Sequence, residues 1–340
     1  LDVGAPPEFM DFRYRVLDDH HGEFVLDHCG ALMDVEPMGD DYVRAMCHDI
    51  EDPTFDATAM ATNPRARVRP VHRPHRVPAD RHPHCAWTVT IDVEAEPLPY
   101  PARAADLASC RAATLPLACA PAGLDHHDGW DDYTAPLDAD LVMEQFSSAA
   151  LAAISDEVAL QGHLLSRAFM LAVVDRSSGA DAAAIGGKQL CGIAGVTTKR
   201  LAAMLRVEPD LEGIAAVLAI HPMFLPRDYV DLRLTVEADG LTVGIGPCPA
   251  LDERDGLTWP GVLVGHSDRG VRSAVQCLAP QARIERLDPV DDHVATWRIW
   301  VDPDAEPARQ PDDVTPTEFY TGAGFSFHRR VPGGPTPPVG

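Results

Sequence analysis

The sequence predicts an α+β protein made by tandem duplication: two copies of a hairpin-helix-strand unit with antiparallel sheets, plus a helical segment before the second copy. Three observations lead there. First, DFRYRVLDDHHGEFVLDHCGAL from Asp11 recurs as DLRLTVEADGLTVGIGPCPAL from Asp231. With two short gaps in the turn region, Asp11, Arg13, Val16, Gly22, Cys29, Ala31 and Leu32 meet Asp231, Arg233, Val236, Gly240, Cys248, Ala250 and Leu251. Second, the register runs on ungapped from the cysteines, so that Cys47 meets His266 and Asp49 meets Asp268, and Glu36 faces Asp255. Third, the ends agree: Asp80, His82, Trp87, Asp92, Ala95, Glu96 and Pro97 meet Asp291, His293, Trp297, Asp302, Ala305, Glu306 and Pro307. Agreement in one order over a unit of roughly eighty to ninety residues marks a duplicated fold.

Each element follows from local pattern. Phe12, Tyr14 and Val16 alternate with polar residues, as do Leu232, Leu234 and Val236, so both stretches are half-buried strands. A turn rich in Asp and Gly follows each, then a second strand, which makes a hairpin. DDYVRAMCHDIE carries Val43, Met46, Cys47 and Ile50 at helical spacing and predicts a short amphipathic helix. Val271 to Leu278 predicts its counterpart. Trp87, Val89 and Ile91 alternate into a last strand, as do Trp297, Ile299 and Val301. The result is an antiparallel sheet layered on helices.

These elements divide the chain into a first α+β unit over 1–97, a Pro- and Ala-rich linker over 98–137, a helical segment over 138–226 that scaffolds the second unit, a second α+β unit over 227–307, and a tail over 308–340. Within the helical segment, GVTTKRLAAMLRV opens with threonines in capping position, which predicts a helix start there. In the tail, Phe319 to Phe327 is expected to dock on the body. The chain starts at Leu1 almost directly on a strand, which predicts a piece of a longer protein whose first unit lacks its own helices.

The formal charge of -24 with only two lysines, Lys188 and Lys199, repels phosphate backbones, so nucleic acid is not an expected partner. The arginines of RARVRPVHRPHR, from Arg65 to Arg76, form a local basic cluster that either holds a small anion or balances the acidic surface. Eight cysteines in 340 residues do not make a disulfide framework. The composition shows no signal peptide and no apolar run of membrane length, which predicts a cytoplasmic protein with reduced thiols and no membrane partner. A homo-oligomer or a partner subunit is compatible with this composition.

Few residues able to donate ligands recur in both copies. Cys29, Cys47 and His82 face Cys248, His266 and His293. A Cys/Cys/His set suits zinc or ferrous iron, because thiolate and imidazole match borderline-soft cations, and Cys85 or Glu36 would supply a fourth ligand. The competing reading makes Cys29 and Cys47 small core residues, since Cys47 lies on the apolar face of its helix. His48 and Glu51, three apart on the polar face, with Asp49 between them, form a candidate acid–base group. Because the first copy carries the richer set, including His84, the site is expected there and the second copy is expected to be structural.

One family resemblance rests on these residues. A Cys after a hairpin (Cys29), a second in the following helix with Asp two residues on (Cys47, Asp49), and a closing HCAW strand (Cys85, Trp87) resemble the L-2-amino-thiazoline-4-carboxylic acid hydrolase-like proteins and the related 4-vinyl reductase-type ligand-binding domains. In the second copy the match continues at Cys248, Asp268 and Trp297, with His266 in place of the helix cysteine and nothing for Cys85. The resemblance implies a compact module with a small-molecule pocket and, in some members, a bound zinc. Two functions follow as expectations. One is a metal- or thiol-assisted hydrolase or lyase acting on a small organic substrate. The other is a non-catalytic small-molecule-binding or sensor module with a structural metal or only core cysteines.

Overall fold

A computed structural model describes residues 9–117, 128–132, 140–253, 255–265, 267–289 and 292–320. The chain falls into two compact units, Leu1–Pro101 with Cys119–Ala152 and Tyr320–Gly340, and Ala102–Ala118 with Ala153–Phe319.

In the first unit β1 (Met10–Asp18) and β2 (His21–Cys29) form the expected hairpin, with Tyr14 opposite Phe24. A helical layer follows: α1 (Gly30–Val35), α2 (Asp40–Arg44), a π-helical turn (Ala45–Ile50) and α3 (Glu51–Thr62). Then β3 (Ala66–His72) and β4 (Cys85–Ile91) complete an antiparallel sheet ordered β1-β2-β4-β3. One face of that sheet packs Phe24, Leu26, Val68 and Trp87 against Leu32, Val35 and Val43 of the helical layer. Trp87 is the largest side chain buried there, stacked over Phe24 at 6.2 Å and edge-on to Phe55 at 4.7 Å. Burying each large apolar side chain of this kind contributes roughly 1.5–3 kcal/mol.

The second unit holds α4 (Ala102–Ala108), α5 (Arg111–Thr114), most of α6 (Ser148–Val174), α7 (Gly179–Leu205) and α8 (Leu211–Ala219). Next come β5 (Leu232–Glu237), β6 (Gly240–Ile245), α9 (Trp259–Gly265), α10 (Arg269–Gln276), β7 (Ala282–Leu287), β8 (Ala295–Val301) and α11 (Val314–Tyr320). Its sheet is ordered β5-β6-β8-β7, the same topology as the first. Trp297 of β8 lies opposite Val243 of β6, as Trp87 of β4 lies opposite Phe24 of β2.

The duplication extends to individual hydrogen bonds. Arg13 pairs with Asp11 and Arg233 with Asp231. The backbone N–H of Gly30 donates to Phe9 O, and that of Ala250 to Tyr229 O. After the last strand, Asp92 and Asp302 each accept from the N–H two residues on, at 3.0 and 3.1 Å. Leu98 N–H donates to Pro64 O, and Ala308 N–H to Pro280 O, both at 2.7 Å. Arg67 and Arg283 each reach the carbonyl of the equivalent glutamate, Glu96 or Glu306.

Three expectations change. The stretch read as a linker contains two short helices, α4 and α5, and Cys110 and Ala112 there join the second core. The threonines of GVTTKR do not start a helix. They lie inside α7, where Thr198 is fully buried, and the N-cap is Ser178, whose side chain accepts from Asp181 N–H. Gly195 lets α7 and α10 touch: a Cβ on it would stand 2.6 Å from Ser273 Oγ of α10. Finally, α6 is long and apolar enough by length and composition to cross a membrane, contrary to the expectation of no such run. Its inward face carries His163, Ser166 and Arg167, bonded to Leu225 O, Gln189 and Asp255, which suits a supporting helix in a protein core. The expected docking of Phe319 to Phe327 lies outside the described residues, apart from the backbone of α11.

Candidate functional site

The first unit has a small cleft, open to solvent on one side. It forms where the helical layer stands off the sheet. Leu26 and Cys29 come from β2, Leu32 from α1, Cys85 and Trp87 from β4, and His84 from the residue before it. The remaining wall is Cys47, Glu51 and Phe55, with Arg73 and Pro74 of the β3–β4 connection.

The helix supplies three of these residues because of the π turn. Glu51 N–H donates to Met46 O, five residues back, so the helix gains a residue at this turn. The extra residue rotates everything after it by about a quarter turn relative to an α-helix. An uninterrupted α-helix would bury Ile50 with Val43, Met46 and Cys47. Here Ile50 is 52% exposed and Glu51 takes the inward position, with Phe55 one turn on. The predicted pairing of His48 and Glu51 on one polar face therefore does not form. His48 Nε2–H donates to Pro74 O at 2.6 Å, and Asp49 is exposed.

Of the five predicted metal ligands, Cys29, Cys47 and Cys85 converge on the pocket. The other two do not join them as ligands. His82 is exposed, beside Asp27 at 3.9 Å, and His84 takes the pocket position two residues on. Glu36 is committed to a two-pronged ion pair with Arg76, at 2.9 and 2.8 Å. Among the described residues no group of three or more His, Cys, Asp or Glu side chains is arranged to hold a metal ion. The donor set therefore does not fit the zinc or iron expected from the sequence. His266, the proposed counterpart of Cys47, lies outside the described residues.

The electrostatics are those of a dry site. Burial pushes the Cys29 thiol up to about 11 and the Cys47 thiol up to about 12, and it drives Cys85 upward too. The thiolate is the nucleophilic and metal-binding form, so at neutral pH these are apolar wall residues. Cys29 also accepts from Leu32 N–H at 3.4 Å and so caps α1. Burial lowers His84 to about 4, leaving its ring neutral, with Nδ1 buried and unpartnered. Burial, with Asp52 adding to it, raises Glu51 to about 7. Among the described residues no hydrogen bond or ion pair engages the Glu51 carboxyl.

The connection that closes the pocket is tied to the helical layer at four points: Arg73 to Asp52, Pro74 O to His48, His75 to the Asp40 carbonyl, and Arg76 to Glu36. The arginine cluster is thus spent on internal pairs, with Arg69 on Asp56 as well. Phe55 was not among the expected site residues, and Arg73 and Pro74 were expected only as part of the Arg65–Arg76 basic cluster. Once the π turn is known, the spacing of Cys47, Glu51 and Phe55 would have found the first. The other two come from a loop whose path no local pattern dictates. No family model matches the sequence, and neither a curated protein nor a solved structure matches it.

Proposed function

We propose that the first unit is an acid–base enzyme of the hydrolase or lyase class, acting on a small organic substrate held in this pocket, with Glu51 as the proton carrier. One observation carries the reading: a carboxyl raised to about 7, with no partner among the described residues, lines an otherwise apolar pocket. A group poised near the working pH gives and takes protons most effectively, and perturbed carboxyls of this kind gather at active sites. The substrate's body would rest on Trp87 and Phe55. The thiols would exclude water, and no step passes through a metal or a thiolate. Seven free cysteines among the described residues support a reducing, cytoplasmic location.

A panel of small aryl esters, amides and β-substituted carbonyl compounds, assayed with the parent protein and Glu51→Gln, tests the proposal. Turnover that falls about a hundredfold or more in Glu51→Gln, within the range of lost general acid–base catalysis, is the expected result. Turnover indifferent to Glu51, or none on the whole panel, rejects the reading. A second reading, a non-catalytic binding module as in the resembling ligand-binding domains, is favoured by the three protonated thiols and the aromatic wall. It predicts saturable binding without turnover.

A further inference from the structure

We infer that the exposed face of α3 is a docking surface for an α-helix of a partner protein, one with small residues along its contact face and a net positive charge. This surface is independent of the acid–base reading and is revealed by the duplicate. α3 and α10 are the same element: each leads into the third strand of its unit, β3 or β7, in sheets of one topology. They end in the same turn, with Asn63 N–H donating to Ala59 O and Ala279 N–H to Val275 O, both at 2.9 Å. In the second unit α10 is covered. α7 lies along it, so close that a Cβ on Gly270 would stand 2.8 Å from Leu190 Cγ, and one on Gly195 2.9 Å from Cys277 Sγ. Ser273 Oγ–H donates to Cys191 O across the contact at 2.7 Å. The α10 side of this contact is thus Gly270, Ser273 and Cys277, small residues at i, i+3 and i+7 on one helical face.

α3 repeats that pattern on a face left uncovered. Phe55 and Ala59 pack toward the core of the first unit, and Met60 is buried. The other side presents Thr54, Ala57 and Ala61 at the same spacing, with Thr58 among them; Thr54, Thr58 and Ala61 are exposed and Ala57 is half-buried. Two features of this face do not suit a solvated helix. From Pro53 to Pro64 the sole charged residue is Asp56, and it bonds Val68 N–H and Arg69 of β3. Solvent-facing helices carry charged and polar side chains on their outer side. The threonines, which are poor helix formers, spend their hydroxyls on their own helix: Thr54 Oγ1–H donates to Ile50 O and Thr58 Oγ1–H to Thr54 O, at 2.7 and 2.9 Å. A helix docked there would strand neither hydroxyl. Charge selects the partner. At -24 the protein repels a second copy and draws a cationic helix. α7 fits that description, since both lysines of the chain, Lys188 and Lys199, lie on it with Arg200, against Asp181 alone.

The experiment titrates the full chain, in reducing buffer, into a fluorescein-labelled peptide of the α7 sequence, residues 179–205. Fluorescence anisotropy should show saturable binding, and hydrogen exchange should show protection of the α3 amides by the peptide. Thr58→Glu and Ala61→Glu, exposed changes whose folding is checked by thermal unfolding, should each weaken binding roughly tenfold or more by burying a charge in the contact. Glutamate adds long-range attraction for a cationic peptide, so this loss reports on the contact itself. A peptide with Gly187→Leu and Gly195→Leu should bind as poorly, although leucine is the better helix former, because its face is no longer small. No binding, binding unchanged in both glutamate variants, or protection confined to α10 overturns the inference. So does a dimer in sedimentation equilibrium that Thr58→Glu abolishes, which gives the face to a second copy.

Discussion

The two sheets share an order, a register and a set of corner hydrogen bonds, yet the first leaves a cleft under its helical layer where the second packs α10 against α7. The difference lies at a few matched positions. Continuing the cysteine register, Glu51 meets Gly270 and Phe55 meets Ala274. A Cβ on Gly270 would stand 2.8 Å from Leu190 Cγ of α7, and Leu190 is fully buried. In the second unit, small residues on α10 therefore admit α7, and α7 occupies the space that the first unit leaves empty. Cys85 becomes Ala295 as well. The second unit separates α9 from α10 where the first joins its helices through the π turn. A duplicated scaffold thus leaves a cleft in one copy by keeping large and polar side chains where the other copy uses small ones and covers them.

The contrast is broken most directly at the paired tryptophans. Trp297→Ala should destabilise the second unit by about 4 kcal/mol, because the void has no outlet and its neighbours cannot collapse into it. Trp87→Ala should cost about 1 kcal/mol less, since the void it leaves merges with an existing pocket. Hydrogen exchange of the β6–β8 and β2–β4 amides separates the two. Equal losses would mean that the first pocket is as tightly closed as the second core.

Acid sharpens the comparison next. His163 and His221 are buried, and burial holds both down to about 4. Between pH 6.5 and 4 the unfolded chain binds protons that these folded rings refuse, so the second unit loses stability as the pH falls through that window. The loss should be roughly 3 kcal/mol per fully protonated ring. Glu51 acts with the opposite sign. Between about 4.5 and 7 the folded state keeps a proton that the unfolded chain has released, so stability falls as the pH rises. Glu51→Gln should remove that decline and gain roughly 2 kcal/mol at pH 8, with no gain below pH 4.5. Urea midpoints followed across this range check both. A Glu51→Gln gain that persists at pH 4 would mean that packing, rather than ionisation, sets the effect.

The parts of this architecture visible in the sequence are those dictated by short-range pattern. The alternation around Trp87 and Trp297, and the turn residues Asp92 and Asp302, identify both copies of the unit because strand period and turn chemistry are local. The convergence of Cys29, Cys47 and Cys85 was also legible, since each sits at the end or on the inner face of an element. The site's central residue was not. Helical periodicity assigns Ile50 inward and Glu51 outward, and only a backbone insertion, invisible to a 3.6-residue pattern, exchanges them. His82 was preferred over His84 because it recurs in the second copy. Yet recurrence records the shared scaffold, and a site that exists in one copy uses residues the other lacks.

The smallest effect concerns His48, which the sequence placed beside Glu51 as a catalytic partner and the structure places in a tether. Its Nε2–H bond to Pro74 O is one of four polar ties holding the 73–76 segment over the pocket. A half-buried hydrogen bond of this sort contributes about 1 kcal/mol net, and three other ties remain. His48→Ala should therefore lower stability by about that amount and weaken ligand binding only a few-fold, by loosening Pro74. The pH midpoint set by Glu51 should not move, because no bond or ion pair joins the two side chains. Asp49→Asn, on the exposed face, should change neither quantity. If His48→Ala instead removes turnover as completely as Glu51→Gln, the imidazole must swing from Pro74 into the pocket when substrate binds, and His48 and Glu51 work as the pair that their spacing first suggested.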